Sequence, residues 1–290
     1  MPGPAGSGPF CGHGPGAHAG VPEAAAPIFT RMDLNRSLTS LGASTLRMFG
    51  GLGTFSRFTG DTFRAVGSVR TWMPLLVGQM RRLGVDSLPI ALFLASFTGI
   101  VLALQASYTF TGAIPLYFVG TLVEKTMVLE LGPVLTGLAL SGRIGANIAA
   151  ELGTMRVSEQ IDALETMAYD PLAYLVVPRV LASFLMFPVI VVFADVVAVF
   201  WGLITAMALL DMSPQTFIRG ARLFYKHFDL IYSVIKAFSF GLVIALIGCY
   251  QGFHTRGGAE GVGISTTRAV VVAGMLILVL DAFWAATILQ

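Results

Sequence analysis

Between Asp86 and Glu124 the chain runs through 37 consecutive residues without a formal charge. From Asp229 to Arg256 the only charged side chain is Lys236. Apolar runs of about 20 residues are long enough to cross a bilayer as helices, the form in which a single segment satisfies its own backbone inside lipid. Composition agrees: 55% of the 290 residues are hydrophobic and 12% are charged, about half the charged share of an average soluble chain. The expected fold class is all-α, a polytopic membrane protein.

Five spans follow. They are placed at Ser87–Tyr108, Ala113–Ala150, Tyr174–Leu210, Leu230–Phe253 and Thr267–Leu289. The second and third exceed the roughly 20 residues that one crossing needs, so they must tilt or project beyond the membrane. Pro188 is expected to kink the third. Residues 211–228 read as a polar connection. Ahead of the spans, residues 1–30 are rich in Gly, Pro and Ala, cannot bury a core, and are expected to be disordered. They lack both the apolar centre of a signal peptide and the arginines of a transit peptide.

Residues 31–85 hold eight arginines against Asp33 and Asp61. Apolar side chains recur there at helical spacing through Phe55, Phe58, Phe63, Val66 and Val69, then Trp72, Leu75, Leu76, Met80 and Leu83. Such a basic amphipathic region suits the membrane interface, or a helical hairpin packed on the membrane domain. Residues 86–290 form the membrane-spanning remainder. Lys and Arg counts orient it. Thirteen basic residues collect on one side when the amino-terminal region, the turn at 143–179 and the loop at 254–268 share it, against Arg219, Arg222 and Lys226 opposite. Amino terminus inside and carboxyl terminus outside is the expected arrangement.

The most informative stretch is Glu130–Arg179, where a helix of small residues runs into a segment too polar for lipid. Gly137, Ser141, Gly145, Ala149 and Gly153 recur every four residues. Small side chains let helices approach closely in lipid, and a four-residue repeat winds around the helix by about 40° per step. The ridge can therefore touch its own spans or a second copy of the chain. Below it, Ser158 is expected to cap a short helix of about residues 158–168. Glu159 and Asp162 favour its dipole, Gln160 and Glu165 add polarity, and Ile161, Leu164 and Met167 make an apolar stripe. A helix this short needs a partner surface. Asp170-Pro171 ends it.

Glu130, Asp195, Lys236 and Asp281 lie deep in apolar runs. Each costs roughly 2.5–3.5 kcal/mol to insert unless paired or hydrated, which makes a functional role the default. At about 1.5 Å per residue, Glu130 and Asp281 both lie about 20 Å from the inner boundary, and Lys236 about 10 Å from the outer one. Lys236 is expected to neutralise Glu130 or Asp281 around a hydrated outer-half cavity. Asp195, near mid-span, also reads as an isolated hydrogen-bonded acid.

None of the three lysines follows a glycine, so no phosphate-binding loop of the G-x-x-x-x-G-K-[ST] kind is present. Scattered histidines and two cysteines give no metal site. Ser141-Gly142 has no histidine within a span to act as its base, so the chain is not expected to be an enzyme. Proton-coupled secondary transport through the intramembrane carboxylates is the competing reading.

The segments ELGPV at 130–134, SGRIGANIAAELGTMRVSEQIDALETMAYDP at 141–171 and YLVVPR at 174–179, with GISTTRAVV and LVLDAF around 263–283, resemble the MlaE/YrbE permeases of ABC-type lipid transporters. The resemblance covers about residues 70–290. It implies a homodimer in a bacterial inner membrane, an interfacial amino-terminal helix and a cytoplasmic coupling helix at Glu159–Met167 docked on a separate ABC ATPase. It further implies an MCE-domain protein on the periplasmic side, a phospholipid substrate, no nucleic acid, and no cofactor beyond the ATP held by the ATPase. Glu130, Lys236 and Asp281 match the charged positions of that family. One departure is Leu129, where relatives can carry a basic residue.

Overall fold

The computed structural model describes residues 50–110 and 115–288; the tail at 1–30 lies outside them. The chain divides after Leu52, and the unit Gly53–Gln290 contains the spans. Among the described residues every regular element is helical, and five stretches are long and apolar enough to cross a membrane.

The unit opens on α1, helical through residue 65, followed by α2 (Val69–Gln79). A π-turn at Met80–Gly84 and a 3-10 turn at Val85–Ser87 lead without interruption into α3 (Leu88–Thr109). The expected boundary between amphipathic region and first span is thus a bend in one continuous helical path, Val69–Thr109. Gly84 permits it, since a Cβ there would sit 2.4 Å from Met186 Cε. Phe58 is buried and stacks its edge on Tyr250, with Phe253 and His254 beside it, while Phe63, Met73 and Val77 stay exposed. One edge of this region therefore packs on the bundle and another faces outward.

The second span, Phe118–Val157, comprises α4 (Phe118–Thr126), α5 (Gly132–Leu140) and α6 (Ala146–Val157), joined by π-turns at Met127–Leu131 and Ser141–Gly145. Single π-turns inside helices are rare and cluster at functional sites. α7 (Gln160–Thr166) makes the turn, and a π-turn at Leu172–Val176 opens α8 (Val177–Leu209), which keeps Pro188 inside it. The connection read as polar instead holds a strongly amphipathic helix, α9 (Pro214–Leu223). Ser213 accepts the Thr216 N–H as its N-cap. Phe217 is 1% exposed, and Gly120 and Gly220 let α9 lie backbone to backbone on α4. α10 (His227–Phe253) and α11 (Gly258–Ile288) complete the fold. α11 begins nine residues before the expected fifth span.

α10 is the central helix, packing on α6, α8 and α11, while α3 packs along α8. Of the small-residue ridge, Gly137 faces Phe240 and Ile277, Gly145 faces Ile244, and Gly153 abuts Thr255. Ala149 is fully buried beneath Gly252, and Ser141 donates to its own Leu138 carbonyl. The ridge packs on α10 and α11 of the same chain. Close contact of this kind gives dispersion energy, the main attraction left to helices once the solvent is itself apolar.

Candidate functional site

Two sites lie along the Phe118–Val157 span, one within its first half and one at its far end. The first begins with a local consequence of sequence. In a regular helix the Leu129 carbonyl would accept from the N–H of residue 133, but residue 133 is proline and has none. Lys236, reaching across from α10, donates to that orphaned carbonyl at 3.1 Å and to Glu130 Oε2 at 2.7 Å. Its ammonium also pairs with Asp281 of α11 and lies 4.9 Å from the centre of the Tyr232 ring. The lysine is 0% exposed, while Glu130 and Asp281 are 40% and 21% exposed. Trp284 donates to Ser239, whose hydroxyl donates to the Lys236 carbonyl. Three helices thus meet at one ammonium, which holds both of the acids placed at its depth.

Asp195 is not part of that cluster. It is buried on α8, its Oδ1 lying where a Cβ on Gly132 would approach to 1.8 Å, and Ser233 donates weakly to Oδ2 at 3.4 Å. Lys125 pairs with Asp229 farther toward the α9 end, and Asp229 also accepts the Lys226 N–H, closing the start of α10. Beside these groups, an open groove between α3 and α4 holds volumes of about 390 and 290 Å³. Leu102, Gln105, Leu122 and Leu131 line it.

At the other end, Ser158 is not the cap of α7. It closes α6, donating to the Thr154 carbonyl, and Glu159 takes the N-cap position in the left-handed region at φ 59°. The chain reverses within two residues, so the hydroxyl is spent on the helix it leaves. Asp162 pairs with Arg156 of α6, tying the two helices together. The stripe does not form one docking surface either: Ile161 is 0% exposed and Leu164 half-buried, both in the chain's own core, whereas Met167 is 61% exposed. A seven-residue helix is marginal alone, and the bundle stabilises it. Glu159, Gln160, Ala163, Glu165, Thr166 and Met167 face outward on and beside α7. A cleft of about 300 Å³ beside it is lined by Arg156, Glu165, His254 and Arg256.

Sequence reasoning overlooked a third set of groups. Glu151 of α6 accepts from Arg82 and from Arg179 of α8, both at 3.1 Å, and Arg179 also donates to the Leu175 carbonyl. Arg179 is a lone charge at the start of an apolar run, shallower than Glu130, Asp195, Lys236 and Asp281, so depth did not single it out. Its side chain is 5% exposed against 60% for Arg82. Glu151→Gln should therefore cost about 2–3 kcal/mol by stranding a buried guanidinium, whereas Arg82→Gln should cost within about 1 kcal/mol. Thermal unfolding in detergent distinguishes them; equal losses would refute the assignment.

The permease MlaE family model matches residues 76–287. A probable ABC transporter permease protein of Rickettsia bellii is 38% identical over 240 residues, covering 83% of this chain and 93% of that protein. One from Synechocystis is 40% identical over 205 residues, 71% of this chain and 78% of its own. The chloroplastic protein trigalactosyldiacylglycerol 1 of Arabidopsis thaliana is 36% identical over 203 residues, 70% of this chain and 58% of its own.

Proposed function

The chain belongs to the MlaE permease family, a multi-pass membrane subunit of the ABC transporter kind, and we propose that it moves a phospholipid using ATP hydrolysed by a separate cytoplasmic ATPase. The observation that carries the reading is that one helical path, Phe118–Val157, bears the Lys236-bound Glu130 in its first half and leads directly into α7 at its far end. The ATPase docks on the outward edge of α7, Glu159, Gln160, Glu165 and Met167, and its closure is transmitted along α6 and α5. In this orientation the α7 end is cytoplasmic and the α9 end faces the periplasm of a bacterial inner membrane, where an MCE-domain protein exchanges lipid. The largely apolar groove between α3 and α4 suits acyl chains, and its lining residue Leu131 adjoins Glu130, the partner of Lys236. The glycerolipid in the Arabidopsis protein's name supports a lipid cargo. A second copy of the chain completes the unit, with the exposed side chains Val271, Met275, Val279 and Phe283 of α11 available to it.

The test is capture of the native ATPase with the tagged chain from its own membranes. Wild type should retain it and Glu159→Lys should lose it at least tenfold while remaining folded. ATPase retention by Glu159→Lys would refute docking on α7, and lipid transfer that persists without any ATPase and stops with an uncoupler would replace this reading with proton-coupled transport.

A further inference from the structure

α9 is held to the bundle by one face. Phe217 and Gly220 are buried against α4, with Thr216 and Ala221 half-buried beside them. At 3.6 residues per turn, Gln215, Arg219 and Arg222 fall together on the opposite face, with Ile218 on one side of them and Leu223 on the other. All five are exposed, and they line one open surface groove of about 490 Å³.

The two guanidiniums have no counter-charge within the chain. α9 contains no acid, and no carboxylate of the described residues lies within ion-pair distance of either arginine. Asp229, just beyond the helix, is taken by Lys125 and by the Lys226 N–H. Side chains three apart on a helix start about 5–6 Å from one another, so both forks can reach one anion. Guanidinium groups bind phosphate oxygens in pairs, through charge-assisted hydrogen bonds.

The flanks decide what carries that phosphate. Ile218 and Leu223 leave 40% and 52% of their surface uncovered, which a small anion dissolved in water would not cover. The exposed apolar surface continues along the chain through Phe224, stacked on Phe118 of α4, then Tyr225 and Phe228, to Leu230 and Ile231 in the first turns of the α10 span. Cations set among aliphatic and aromatic side chains at the end of a span are the pattern of a helix lying at the headgroup level.

We propose that the outward face of α9 binds the phosphate of a membrane phospholipid through Arg219 and Arg222, with Gln215 beside them and Ile218 and Leu223 set into the acyl boundary. The occupant is a resident lipid of the surrounding leaflet, separate from any cargo in the groove between α3 and α4. It fastens α9, and through the Gly120–Gly220 approach α4, to the membrane surface. The site does not depend on what the chain transports.

Ile218→Trp tests it, in the full-length protein in nanodiscs made with phospholipids brominated along the acyl chain. Wild type supplies the background from Trp72, Trp201 and Trp284. The added tryptophan should be quenched at least twofold more by bromines near the glycerol end of the chain than by bromines near its methyl end. Adding Arg219→Gln and Arg222→Gln should cut that quenching at least twofold while the native tryptophans quench as before. Leu223→Trp, on the other flank, gives the same measurement if Ile218→Trp does not fold. No quenching of either added tryptophan overturns the proposal, because the face then meets water or a soluble protein partner. Quenching that survives loss of both arginines overturns the phosphate contact. Inorganic phosphate at matched ionic strength should not compete; if it does, the site takes a free anion and the lipid assignment fails.

Discussion

Lys236→Gln should abolish lipid transfer and lower stability by about 3–5 kcal/mol, the usual result of removing one partner from a buried ion pair. The effect is large because two acids depend on this ammonium, together with the Leu129 carbonyl, whose i+4 donor is removed by Pro133. Glu130 is 40% exposed and Asp281 21%, so Asp281, the more enclosed of the two, contributes most of the loss. The triple variant Glu130→Gln, Lys236→Gln, Asp281→Asn separates folding from function. With no charge left to strand, it should recover most of the lost stability, because neutral replacements of a buried ionic cluster are often tolerated. It should not recover transport if the ammonium acts on the lipid. Melting curves and lipid transfer in reconstituted membranes, measured on all three proteins, decide it. A triple variant that transports normally would reduce the cluster to a structural role.

The second large effect is expected at a residue with no side chain. A Cβ on Gly99 would lie 2.0 Å from the Ala198 carbonyl oxygen and 2.9 Å from its Cα. That obstacle is the backbone of α8, which no rotamer change can move aside. In an exposed helix Gly→Ala stabilises by up to about 1 kcal/mol. Gly99→Ala should instead destabilise by about 3 kcal/mol or more, at or above the top of the usual overpacking range. The matched control is Gly78→Ala in α2, where nothing stands within 4 Å. It should be neutral or mildly stabilising. Opposite signs for one substitution would establish that α3 and α8 are held by close approach; equal melting temperatures would refute it.

Sequence established most of what depends on depth. The charge-free runs located five spans because lipid penalises charge and free backbone groups wherever they occur. Counting residues at a fixed rise also brought Glu130, Lys236 and Asp281 to one level, where the structure joins them. What depends on direction around a helix was not legible. Ile161, Leu164 and Met167 share a stripe by spacing, yet two of them turn inward because the nearest apolar surface is the chain's own bundle. Ser158 has the composition of a cap, and the reversal at Glu159 assigns it to the preceding helix. The ridge from Gly137 to Gly153 permits close approach to anything, and only packing selects α10 and α11.

Asp195 shows the division most clearly. Its burial in a span followed from sequence, and its company did not. Spacing along the chain fixes how far a residue lies along the bundle axis. Which helix it faces is fixed by contacts between segments distant in sequence, such as α8 with the start of α5 at Gly132. Sequence by itself thus determined a five-span membrane protein with charges at defined depths. Tertiary structure alone decided that Lys236 is shared by two acids while Asp195 receives, among the described residues, a single long hydrogen bond from Ser233, because azimuth, unlike depth, is set by packing.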